Sequence, residues 1–237
     1  MVLRPDQDLD YWKFSWAENG LYDLPAMLTF IKSTTGSAKV AYVGHSMGST
    51  AMYYLMAKDY NTFKEHVSIF VAVAPATKIT TTSSPVVRWF ASRTNAMQDH
   101  AERFLMYELV PSSKLMYYIV YVSCGLFPEL CYLGMVLVSD KQRKLFDHDR
   151  FLVWLAHNPS GCSLWSLVHY GQTYLSKEFR EFDYRKARGG KKLNQERYGQ
   201  DEPPLIDLRP AGTDVPLVLF WGWQDTLTED ADMMWLV

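Results

Sequence analysis

Gly44-His45-Ser46-Met47-Gly48 is the stretch that decides how this chain is read. Before it lies Lys39 to Val43, a short apolar run of strand-forming residues. After it, Met52, Leu55 and Met56 recur at helical spacing between Thr50 and Lys58. A serine between two glycines, at a passage from strand to helix, sits on a sharp and strained turn. The turn lifts its hydroxyl clear of the sheet. Side chains at Gly44 or Gly48 are expected to collide with the adjoining strand or helix. The helix that follows aims its free N–H groups at the same place, so the Met47 N–H is the expected oxyanion donor.

Two further runs read as strands. Val67 to Ala74 alternates Val67, Ile69, Val71 and Val73 with Phe70 and small residues, and Val215 to Trp221 is entered through Pro216. Buried parallel strands separated by helices imply an α/β layered fold. About 140 residues separate the second and third strands, whereas a crossover needs a dozen or so. The excess is expected to be a mostly helical cap, with helical patterns over Tyr107 to Val110, Leu115 to Val122, Arg150 to Ala156 and Leu164 to Leu175. The expected division is 1–76 and 213–237 for the core and 77–212 for the cap.

A serine hydroxyl needs a base, and on a strand–turn–helix of this kind the triad runs Ser, then Asp or Glu, then His. Asp225 lies in the exit loop Gly222-Trp223-Gln224-Asp225 of the third strand and is the expected acid, ahead of Asp230 and Asp232. The base is not found. The histidines are His45, His66, His100, His148, His157 and His169, and none follows Asp225. His45 is in the turn itself and faces the wrong way. His148, His157 and His169 fall in the cap, where a lone histidine is more often packed than catalytic. A second oxyanion donor from a loop ahead of Ser46 is also not found.

Composition excludes some classes. With 24 basic and 26 acidic residues and no long like-charge block, nothing points to nucleic acid. The segment Arg185 to Lys192 reads as a solvated loop. Cys124, Cys131 and Cys162 are too few for a zinc site. Cys124 and Cys131 are candidates for a local disulfide, and two buried thiols fit as well. Leu115 to Val138 approaches the length of a bilayer span, but Pro128 and Glu129 interrupt it, so two short helices are expected and no transmembrane segment. The first residues hold no apolar core of a signal peptide.

Together these features resemble the acid lipase family of α/β-hydrolases, the gastric and lysosomal acid lipases and their relatives. Phe14-Ser15-Trp16 with Tyr22-Asp23-Leu24-Pro25-Ala26 is similar to the helix ahead of that family's serine turn. Gly44 to Thr50 is similar to the turn itself, with Met47 where the family usually has Gln. Ala74-Pro75-Ala76, His157-Asn158-Pro159-Ser160-Gly161, His169-Tyr170-Gly171-Gln172, Tyr198-Gly199-Gln200 with Pro203-Pro204, and Gly222 to Asp225 also correspond.

The resemblance implies an α/β-hydrolase fold: a mostly parallel sheet, helices on both faces and a large helical cap, incomplete at both ends. It implies hydrolysis of neutral lipid esters at a lipid–water interface by Ser46, Asp225 and a histidine, with no cofactor or metal. It also implies a secreted or lysosomal setting, which suits a Cys124–Cys131 disulfide. The family's early strands and its catalytic histidine have no counterpart here, so a partial chain is expected. The alternative is a non-catalytic lipid-binding pseudo-lipase.

Overall fold

The computed structural model describes residues 3–5, 7–109, 114–129, 131–133, 147–155, 161–186, 190–209 and 212–237. A capped turn opens the ordered core. Ser15 accepts from the Ala17 N–H, while Glu18 reaches back to the Ser15 N–H, which satisfies the free donors of the helix start. Trp16–Glu18 and a wider turn, Asn19–Asp23, lead into α1 (Leu24–Thr35), which Gly36 ends in a left-handed conformation.

Then follow β1 (Val40–His45), α2 (Met47–Lys58), α3 (Tyr60–His66) and β2 (Val67–Val73). The third strand of the sheet, Leu217–Phe220, comes late in the chain. The strands pair in parallel with β2 in the centre; Tyr42 lies opposite Phe70, and Ala72 opposite Leu219. The expected α/β-hydrolase architecture is thus found, with strand limits within two residues of those read from sequence. A helix between two parallel strands is the connection that geometry requires.

Helices α1 to α3 bury Leu24, Leu28, Met52, Leu55 and Phe63 against Phe70 and Ala72 of the sheet. β1 departs from the buried strand expected. Its residues alternate, and Val43 is 68% exposed. Val40 and Tyr42 pack on the core while Ala41 and Val43, on the other face, are exposed, and among the described residues β1 has a partner on one edge only.

Between β2 and the late strand the described residues are mostly helical. It forms α4 (Pro85–Ser92), α5 (Thr94–Phe104), α6 (Lys114–Leu126), α7 (His148–Leu155), α8 (Leu164–Ser176) and α9 (Gly190–Tyr198). One expected helix is corrected. Tyr107 to Leu109 is not helical: Glu108–Leu109 forms β3, which pairs antiparallel with β4 (Cys162–Ser163), and Val110 lies outside the described residues. A helix is favoured by period only, and here pairing to a distant strand satisfies the backbone instead. This region has its own core of Ala101, Tyr107, Trp165, Val168, Phe182 and Tyr184. Trp16, Tyr54, Phe179 and Ile206 join it to the sheet layer.

Cys124 and Cys131 are joined in a disulfide, and Cys162 is free. α6 stops at Leu126, two residues before Pro128. Among the described residues no helix is long and apolar enough to cross a membrane. The final strand is β5 (Leu217–Phe220), followed by the short α10 (Asp230–Met234).

Candidate active site

Ser46 sits between β1 and α2 with φ 50° and ψ −116°, a left-handed conformation unusual for a residue with a side chain. Strain of this kind persists only when the surroundings hold it. Its N–H donates to the Val73 carbonyl at 2.9 Å, fixing it to the end of β2, and its carbonyl accepts from the Ser49 and Thr50 N–H groups. The side chain is half-buried, and among the described residues its hydroxyl has no hydrogen-bond partner. As the first residue of α2, Met47 has no intrahelical acceptor for its N–H.

The flanking glycines differ. A Cβ at Gly44 would lie 2.8 Å from the Ser49 nitrogen and 2.9 Å from the Gly48 carbonyl carbon. No side chain fits there. A Cβ at Gly48 would meet only the Tyr42 hydroxyl, at 3.6 Å, which is ordinary contact. The expected collision at Gly48 is therefore corrected: the tight backbone contact falls at Gly44, against Gly48 and Ser49, and not at Gly48 itself. Two bonds brace the turn: a buried one from Ser49 Oγ to the Gly44 carbonyl at 2.6 Å and a part-buried one from the Tyr42 hydroxyl to the Gly48 carbonyl at 2.9 Å.

Asp225 occupies the loop that leaves β5, at the same carboxyl edge of the sheet. The sheet's last ladder bonds link them: Ser46 to Val73, then Ala74 N–H to the Phe220 carbonyl at 2.7 Å. Ala74 is itself left-handed, with φ 43°. Asp225 Oδ1 accepts from the Leu227 and Thr228 N–H groups, and Oδ2 accepts from the Thr228 hydroxyl at 2.7 Å. A carboxylate offers about four acceptor positions, so Oδ2 retains one for a further donor.

The other two acids of this region are engaged differently. Asp230 accepts from Trp221 Nε1 at 2.8 Å. Asp232 is 2% exposed and accepts from Thr80 Oγ1, the Thr81 N–H and Thr81 Oγ1. Sequence reading ranked these acids by loop position and missed this engagement. The run Thr80-Thr81-Thr82-Ser83-Ser84 was the available signal, since five hydroxyls in succession need acceptors if buried.

The histidines are placed as follows. His45 is exposed at the end of β1. His66 is held by Thr29 and the Thr62 carbonyl. His100 is exposed and lies against Phe104. His169 is wholly buried, stacked on Trp16 with ring centroids 3.8 Å apart. Its Nε2 lies 2.9 Å from the Arg180 carbonyl, which can only accept, so that nitrogen carries the proton. Its Nδ1 lies 3.0 Å from Ser15 Oγ. Burial lowers its pKa to about 3, which leaves a neutral, fully engaged packing residue. The side chain of His148, the whole of His157 and most of the His157 to Gly161 motif lie outside the described residues.

A cleft of about 330 Å³ opens beside Met47 and Gly48, lined by Phe14, Leu24, Met27, Tyr42 and Cys162. Burial pushes the Cys162 thiol up, away from the reactive thiolate. Among the described residues no cluster of His, Cys, Asp and Glu is arranged to hold a metal ion.

Comparison with known proteins places the fold in a family. A family model described as the alpha/beta hydrolase fold matches residues 10–237. The chain is 28% identical to rat gastric triacylglycerol lipase over 242 residues, covering 98% of this chain and 57% of that protein. It is 28% identical to human lipase member K over 228 residues, covering 94% of this chain and 54% of that protein. It is also 28% identical to the lipase lipl-3 of Caenorhabditis elegans over 229 residues, covering 94% and 55%. The chain thus spans little more than half the length of these relatives.

Proposed function

The chain belongs to the alpha/beta hydrolase fold family, and on that premise we propose that it is the serine-bearing part of a lipase-like carboxylic ester hydrolase acting on neutral lipid esters. Ser46 is the nucleophile and Asp225 the triad acid. The residues of 77–212 form the cap, and the third member of the triad is a histidine. The observation that carries this reading is the left-handed Ser46 between β1 and α2, with the Met47 N–H at the helix start, where no intrahelical acceptor exists.

Each part then has one task. The imidazole takes the Ser46 proton as Oγ bonds to the ester carbonyl carbon, and the Met47 N–H stabilises the oxyanion. The same imidazole returns the proton to the departing alcohol. Water, deprotonated in turn by the imidazole, releases the acid and regenerates Ser46. Asp225, with Leu227 and Thr228 donating to it, keeps one carboxylate position to hold the imidazole. The names of the similar lipases, a gastric triacylglycerol lipase among them, support an acyl ester substrate, and the secreted or lysosomal setting rests on the resemblance to acid lipases alone. The apolar cleft beside Met47 supports an acyl chain lying there.

The test is hydrolysis of short- and long-chain acyl esters by residues 1–237 and by a longer form that carries a histidine after residue 237. The longer form should turn over both, and Ser46→Ala and Asp225→Asn should each lower the rate by about three orders of magnitude or more. The 237-residue chain should stay near background. Ser46-dependent turnover by that chain would return the base to one of its own histidines. Tight lipid binding without turnover in either form would favour the non-catalytic lipid-binding reading instead.

A further inference from the structure

We propose that Asp232 is a positioning residue for Asp225, clamping the acid loop to the segment that leaves β2. The proposal rests on the reading of Asp225 as the triad acid. After Phe220 the chain leaves the sheet, so no ladder bond holds Gly222 to Glu229 in place. A seam of side-chain and backbone bonds does so instead. The Asp232 carboxylate accepts from Thr80 Oγ1 at 2.6 Å, the Thr81 N–H at 2.9 Å and Thr81 Oγ1 at 2.8 Å. The Thr226 carbonyl accepts from Thr82 Oγ1 at 2.7 Å and from the N–H groups of Ser83 and Ser84 at 3.0 and 3.2 Å.

The seam therefore brackets Asp225. Thr226 is its immediate neighbour, and Asp232 closes the loop seven residues on. The two residues that donate to Asp225, Leu227 and Thr228, lie between these anchors. Thr82, Ser84, Thr226, Thr228 and Asp232 are all 5% exposed or less. Asp232 itself is buried, while Thr80 is half-buried and Thr81 exposed; without Asp232 their three donors lose the acceptor that ties them to the loop and turn to water instead. The loop then opens at lower free energy than the sheet, and Asp225 loses its fixed aim. Asp232 thus acts on the chemistry only through Asp225, which is why a buried carboxylate serves here in place of an apolar side chain.

The experiment is amide hydrogen exchange on the full chain, for the parent and for Asp232→Ala, Asp232→Asn, Thr81→Val and the double variant Asp232→Ala/Thr81→Val. The amides followed are those of Leu227, Thr228, Ser83 and Ser84, with Phe70 and Ala72 of β2 as internal reference. Asp232→Ala should speed the four loop amides by about tenfold or more relative to the reference. Asp232→Asn, which keeps one acceptor oxygen, should restore part of the protection. The double variant should be little worse than Asp232→Ala alone, because both remove the same bonds. Loop amides that keep the parent rate, or that quicken only in step with β2, would overturn the clamp. If Asp232→Ala does not fold, Thr81→Val carries the same comparison. In the form that hydrolyses esters, Asp232→Asn should lower kcat with KM held; a rise in KM at constant kcat would overturn the positioning role. Absence of any Ser46-dependent hydrolysis counts against the proposed function, and the exchange data then decide the clamp on their own.

Discussion

The Tyr170 hydroxyl lies 2.9 Å from Thr50 Oγ1, joining α8 to the first turn of α2 across 120 residues of sequence. Thr50 Oγ1 is also 3.4 Å from the Ser46 carbonyl. α8 is thereby bonded one residue pair away from the strained serine.

Tyr170→Phe removes that bond and keeps the ring packed. The loss should be about 1 kcal/mol, or a fall in Tm of roughly 2–4 °C for a domain of this size. Thermal unfolding checks it. An unchanged Tm would mean that the bond does no more than replace one to water.

The two glycines of the turn should separate. Gly44→Ala forces a Cβ onto the Ser49 backbone nitrogen and should cost about 2 kcal/mol or more. Gly48→Ala meets no close atom and gains helix propensity, so it should stay within about 1 kcal/mol of the parent. Urea midpoints of the two variants give the comparison, and equal losses would contradict the geometry.

His169 sets a pH dependence. Unfolded, an imidazole titrates near about 6.5, whereas burial lowers the folded value to about 3. The unfolded chain therefore binds the proton first as pH falls. The stability that neutral His169 contributes is complete above the unfolded value. It is lost as pH falls toward the folded one, by up to about 1.4 kcal/mol per pH unit. His169→Gln should lose less stability than the parent between about pH 7 and about pH 5. Urea unfolding at the two pH values measures this, and parallel losses would assign the slope to other groups.

The half-bare β1 should make the 237-residue chain associate. Val43 is 68% exposed on a strand paired along one edge only among the described residues, and such edges recruit other strands. Val43→Lys should lower self-association with little change in Tm. Light scattering against concentration is the measurement. A parent chain that stays monomeric throughout would remove the basis for this expectation.

Much of the sheet layer was legible in the sequence because its signals are local. Strand alternation in Val67 to Val73, the glycine that Ser46 needs beside it, and the position of Asp225 past a strand are each written within a few residues. Tyr107 to Leu109 was misread for the converse reason. Two or three residues carry too little period to choose helix or strand, and the choice came from pairing with Cys162–Ser163. Gly48 was misread because the space around its Cβ position is set by tertiary packing and not by its neighbours in sequence.

By itself, the sequence determined the serine turn, the order of strand, helix and strand around it, and the loop that carries Asp225. Only the tertiary structure decided how the neighbouring acids divide their work. Asp225 keeps an open acceptor position, while Asp232 is filled by threonines 151 and 152 residues away. It alone also turned His169 from a possible base into a buried packing residue against Trp16. The physical reason is the same in each case. A side chain's type fixes which bonds it is able to make, and burial among distant partners fixes which of them remain available to a substrate.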